Sequence, residues 1–105
     1  MEQTNSLAEF TADVWLWPGE AAWHFISLPA DLSADIKAAY QGLTRGWGSL
    51  PVDVTIGNTS WKTSIFPDRT SGCYMLPIKA AVRKAEGIHE SSRVSLQLTI
   101  VAEST

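Results

Sequence analysis

The residues best suited to hold a ligand follow one another in a short loop, Arg45, Gly46, Trp47, Gly48 and Ser49. Two glycines allow a ligand to approach the backbone closely, or allow the chain a positive φ. Arg45 and Ser49 supply donors that suit a carboxylate or a phosphate. Lys62 and Ser64, two positions apart, share one face of a predicted strand. Lys79 falls at the start of a predicted helix, where backbone N–H groups also favour an anion. With Trp47 or Trp61 as a stacking wall, this set describes a polar, cationic pocket. The competing reading is a rigid loop whose glycines serve turns and whose Arg45 pairs with an acid. The glycine spacing matches no phosphate-binding loop.

The remaining reactive side chains form no constellation. His24 and His89 lie far apart, with the single cysteine, Cys73, between them, and no pair has zinc-ligand spacing. A nucleophilic Cys73 would need a histidine and a third, orienting group, and nothing in the sequence brings His24 to it. Asp31 and Asp35 read as solvated charges near a helix start. No catalytic, metal or cofactor motif is present, so no cofactor or metal is expected, and an enzyme is the least supported reading.

The elements that must position these residues are legible from periodicity. Phe10, Ala12, Val14 and Leu16 alternate with Thr11, Asp13, Trp15 and Trp17, which is a strand with an aliphatic face. Trp15 and Trp17 then lie on the opposite face, which a helix, a second copy, a partner or a ligand must cover. After the break at Pro18 and Gly19, Trp23 to Leu28 reads as a second strand. Pro29 opens a helix with an apolar face of Leu32, Ile36 and Ala39 or Tyr40, stopped at Gly42. Leu50 to Ile56 and Thr59 to Phe66 form a hairpin across Gly57 and Asn58. A short strand from Cys73 to Leu76 leads through Pro77 into a second helix, with Ile78, Ala81, Val82 and Ala85 inward. Gly87 and Ile88 end it in the arrangement of a Schellman cap. Val94, Leu96, Leu98 and Ile100 mark the last strand. Strand, Leu-Pro and helix thus occur twice, at Leu28 and Leu76, about fifty residues apart. The expected fold is mainly β, a closed or double-split barrel of about six strands capped by two short helices.

The 105 residues fit one domain, here expected over 8–103 behind a disordered leader of residues 1–7. Hydrophobic residues make up 45% and charged residues 18%, an ordinary globular balance. One cysteine excludes an intrachain disulfide and fits a reducing compartment. No signal peptide or membrane span is read from the sequence, so a cytoplasmic location is expected. Net charge is −3, which argues against general affinity for nucleic acid or anionic membranes. Even so, six of the eight basic residues fall between Lys62 and Arg93, so a local basic face remains open.

Four segments carry a family resemblance: Trp23 to Pro29, Arg45 to Ser49, Trp61 to Asp68, and Tyr74 to Arg83. In this order they resemble the bacterial family named only as domain of unknown function 1905. The resemblance covers about residues 10–100 and implies a double-split β-barrel with helical caps. Such a barrel is similar in fold to swapped-hairpin transition-state regulators, but their basic-arm pattern has no clear counterpart in this chain. The family implies no activity. The leading expectation is a non-enzymatic binding or interaction domain for a small anionic or aromatic ligand, or for a protein partner. Self-association through Trp15 and Trp17 is a further option. A DNA-binding regulator is the alternative, and the net charge counts against it.

Overall fold

In the computed structural model, which describes residues 7–19, 23–44 and 46–101, alternating burial sets out the clearest strands. β3 (Leu50–Ile56) buries Leu50, Val52, Val54 and Ile56 and turns Pro51, Asp53 and Thr55 outward. β6 (Arg93–Ile100) does the same with Val94, Leu96, Leu98 and Ile100. β1 (Leu7–Leu16), β2 (His24–Ser27), β4 (Thr59–Pro67) and β5 (Tyr74–Pro77) complete the set. The six strands close into one antiparallel barrel in the order β1-β2-β5-β4-β3-β6. Its interior is almost wholly aliphatic, with Ile26, Leu28, Leu50, Ile65, Leu76 and Leu98 at 1% exposure or less. Each such side chain contributes roughly 1.5–3 kcal/mol on leaving water. The expected barrel is therefore present, with its strand ends shifted by a residue or more in several places, and residues 1–6 of the expected leader lie outside the described residues. β1 begins at Leu7 rather than Phe10, Leu16 is exposed at the barrel mouth, and β5 runs to Pro77.

Two helices close the ends. α1 (Ala30–Ala39) starts after Pro29 and sends Leu32 and Ile36 into the core. Its buried Ser33 is tied to β5, since Ser33 Oγ accepts the Tyr74 N–H at 3.0 Å. Tyr40, rather than Ala39, continues the apolar face, and the helix caps at Tyr40, before Gly42. α2 (Ala80–Glu86) departs further from expectation. Pro77 does not open it; Pro77 is the last ladder residue of β5, and Lys79 is the residue before the first turn. Ala81 and Ala85 are exposed, because a helix this short buries only Val82, helped by Ile78 and Ile88 on either side. Its end is as expected: Gly87 takes φ +64, and the Ile88 N–H returns to the Arg83 carbonyl at 2.9 Å.

The repeated strand–helix unit is a real symmetry of the fold. β1-β2-α1-β3 and β4-β5-α2-β6 are two copies of one arrangement. Ala30 opens one helix and Ala80 the other, and Ile26 stands opposite Leu76 where β2 pairs with β5. The bonds from the Leu28 N–H to the Tyr74 carbonyl and from the Ile78 N–H to the His24 carbonyl repeat each other across that point. The third strand of each copy pairs with the first strand of the other, β3 with β4 and β6 with β1. The two halves are interlocked.

Candidate functional site

Where β1, β2, β5 and β4 meet, the outward phase is apolar, which strand alternation alone does not require. The register places Trp15 beside Phe25, Phe25 beside Pro77, and Phe66 beside Met75. One continuous aromatic and sulfur-containing strip therefore crosses four strands on the outside of the barrel. Phe25 is its centre, with Trp15 at 5.2 Å, Trp17 at 5.7 Å and Trp23 at 6.4 Å between ring centroids. The tilted and edge-on angles are those that aromatic quadrupoles favour. Trp15 is fixed further, its indole N–H donating to Ser27 Oγ at 3.0 Å. Neither helix covers Trp15 and Trp17: α1 faces the core, and α2 packs beside β4. The indoles instead bury Phe25 between them and leave their own outer surfaces as a wall.

Beyond that wall the strip opens into a groove of about 760 Å³. Met75 and Pro77 of β5 line its middle, Trp17 and Trp23 the β1–β2 side, and Phe66 and Pro67 the β4 side. Trp47 adds to the β4 side from a 3-10 turn, Gly46–Gly48, that rests against Pro67. Its backbone is left-handed at φ 58°, ψ 26°, and its ring is 91% exposed. An aromatic residue held in that conformation costs about 1–2 kcal/mol, and such cost gathers at ligand contacts. Here the folded chain spends it to hold a large apolar ring in water.

The charged side of the groove is one-signed. Lys62, Lys79 and Arg83 line it, together with His24, and among the described residues no Asp or Glu lines it. Lys62 Nζ donates to Asp53 Oδ1 at 2.9 Å, an exposed cross-strand pair. Arg83 Nε donates to the Ile78 carbonyl at 3.1 Å, which fixes the guanidinium beside the groove with its remaining N–H groups uncommitted to that bond. The Lys79 carbonyl accepts the Val82 and Arg83 N–H groups, and the Lys79 ammonium has no hydrogen bond or ion pair among the described residues.

The groove owes its depth to a split in the barrel wall. β4 pairs with β3 from Thr59 to Ile65 but with β5 only at Phe66 and Pro67. Beyond that point β5 turns toward β2 and runs into α2. Trp61, Lys62 and Thr63 of β4 are thus left facing Ile78, Lys79 and Arg83 across the groove.

Of the residues singled out in the sequence, Trp47, Trp61, Lys62 and Lys79 come together on this groove. Gly46 and Ser49 only shape the turn that carries Trp47: Ser49 is buried and its N–H returns to the Gly46 carbonyl at 3.2 Å. Ser64 points outward with Lys62 but is not a lining residue, and Arg45 lies outside the described residues. Lys79 contributes through its side chain, since a helix as short as α2 offers no real N-terminal anion site. Sequence reasoning missed Phe25, Phe66, Met75, Pro77 and Arg83. Their outward phase was readable, but their meeting depends on the β2–β5 and β4–β5 pairings. Cys73 lies away from the groove, in the β4–β5 connection, where its N–H donates to Ser71 Oγ at 3.1 Å. Among the described residues no cluster of histidine, cysteine and carboxylate side chains could hold a metal, and no helix is long and apolar enough to cross a membrane.

Fold and groove together define a small antiparallel barrel with an external, aromatic and cation-edged cleft. The chain belongs to the family described as domain of unknown function (DUF1905), whose model matches residues 10–98. Comparison with curated proteins gives no match.

Proposed function

We propose that this domain is a non-enzymatic binding module whose ligand joins a flat apolar body to an anionic group. The observation that carries this reading is the composition of the groove, aromatic and aliphatic walls edged by Lys62, Lys79 and Arg83 with no carboxylate among the described lining residues. Its volume, about 760 Å³, falls in the range of ligand clefts. An apolar body gains by burial against Trp17, Met75 and Phe66, and Trp47 supplies a stacking face. Lys79 and Arg83 then select an acid over a neutral analogue, each charge-assisted bond contributing about 1.5–3 kcal/mol. A DNA duplex would need a broader basic face, whereas Lys62 and Arg93 are already bonded to Asp53 and Asp13.

The test is calorimetric titration with aromatic carboxylates and their neutral amides, on the parent chain and on Lys79→Ala/Arg83→Ala. The acids should bind and the amides bind at least about tenfold more weakly, with the double variant abolishing the difference. Equal affinity for acid and amide, or an unchanged preference in the double variant, refutes the reading.

A further inference from the structure

The split beside β4 bears on what kind of ligand the groove takes. A two-residue turn at Gly57 and Asn58 makes Ile56 and Thr59 a mutually bonded pair, so Thr59, Trp61, Thr63 and Ile65 direct their backbone groups to β3. Two bonds at the far ends fix the same phase. The Val101 N–H donates to the Pro51 carbonyl at 2.9 Å, which assigns Pro51, Asp53 and Thr55 to the β6 side. The Asp68 N–H donates to the Cys73 carbonyl at 2.8 Å, which assigns Phe66 and Asp68 to the β5 side. By the period of two, Ser60, Lys62 and Ser64 direct their N–H and carbonyl groups away from β3, toward β5. The β4–β5 ladder ends at Phe66, however, and no described backbone group pairs with the Lys62 edge. The barrel is closed, yet at Lys62 it presents an open strand edge, and that residue lines the groove.

We propose that the groove takes an extended peptide segment bearing a carboxylate, which adds as a strand on the open edge of β4 at Lys62. The proposal rests on the reading of the groove as a binding site and names its occupant. An unpaired edge next to apolar pockets is the arrangement used for strand addition, with main-chain bonds giving affinity and alternate side chains giving selection. In this groove one set of alternate side chains meets Phe66, Met75 and Trp47, and the carboxylate meets Lys79 and Arg83. The charge complementarity is direct, because among the described residues the lining holds cations and no acid.

The probe is an acetylated pentapeptide alternating threonine and phenylalanine and ending in glutamate with a free carboxylate. It is compared with the same peptide N-methylated at alternate backbone nitrogens, and with phenylacetate. Binding is read by intrinsic tryptophan fluorescence and calorimetry. The peptide should bind, and N-methylation in one of the two alternating phases should weaken it about tenfold, since only one phase faces β4. On the protein side, Lys62→Pro removes the side chain and an N–H that β3 does not use, whereas Lys62→Ala removes the side chain with its bond to Asp53 and keeps that N–H. Lys62→Pro should weaken the peptide several-fold beyond Lys62→Ala and leave phenylacetate unaffected relative to it. If both N-methyl phases bind as well as the parent peptide, strand addition is overturned, whether or not Lys62→Pro folds. Phenylacetate binding with no peptide binding overturns the peptide and leaves the binding module standing. Failure of both ligands overturns both readings.

Discussion

Trp47 separates what the fold needs from what the groove offers, and replacing it with glycine measures the difference. The residue sits at φ 58° and ψ 26° with 91% of its surface in water. Removing its ring thus gives up almost no burial, while glycine relieves about 1–2 kcal/mol of left-handed strain. Against this stands the added freedom of glycine in the unfolded chain, about 0.5–1 kcal/mol. The balance is a gain of roughly 0.5–1 kcal/mol, or about 2–8 °C in Tm for a domain of this size. Trp47→Ala should leave Tm nearly unchanged, because it keeps the strain and loses only exposed surface. Both variants should weaken binding of an aromatic acid, by the loss of a stacking face worth about 0.5–1.5 kcal/mol. The assay is thermal unfolding followed by circular dichroism, paired with calorimetry on the same samples. A fall in Tm of several degrees in Trp47→Gly would refute the reasoning, since it would mean that the ring supports the fold rather than standing ready for a ligand.

Two predictions concern the framework. Ser33→Ala leaves the buried Tyr74 N–H without its acceptor, and should cost about 1–3 kcal/mol by urea unfolding; a loss below about 0.5 kcal/mol would show that the bond between α1 and β5 is dispensable. Burial raises the Tyr74 phenol above its ordinary value of 10.0. The folded state then holds that proton more tightly than the unfolded state, so the contribution is intact below pH 10.0 and drains away as pH rises beyond it. Tyr74→Phe should flatten the alkaline decline of Tm above pH 10.0, and parallel curves for the two proteins would contradict the assignment.

The strands were legible because aliphatic alternation is strong where one face of a sheet is fully buried. Leu50 to Ile56 and Val94 to Ile100 show this in the sequence and in the structure alike. Turn chemistry served equally well at Gly57 with Asn58 and at Gly87 with Ile88. The second helix was misjudged because proline marks helix starts and strand ends with the same residue, and only the pairing of Pro77 with Phe25 decides between them. The site was half legible. Trp47, Trp61, Lys62 and Lys79 stood out by residue type. The strip of Phe25, Met75, Pro77 and Phe66 did not, because its members acquire meaning only from long-range register. The split at Lys62 has no sequence signature at all; it is the place where one ladder stops.

The interlocking of the two halves also governs how the chain must be made. The first strand pairs with the last, Leu7 opposite Thr99, and β6 is the strand that joins β1 to β3. Contacts this distant in sequence make for slow closure. Until β6 is made, β1 and β3 both lack the strand that pairs with them. A chain cut after α2 would stay in that condition permanently, an open five-stranded sheet with two unsatisfied rims, which is the form in which β-proteins aggregate.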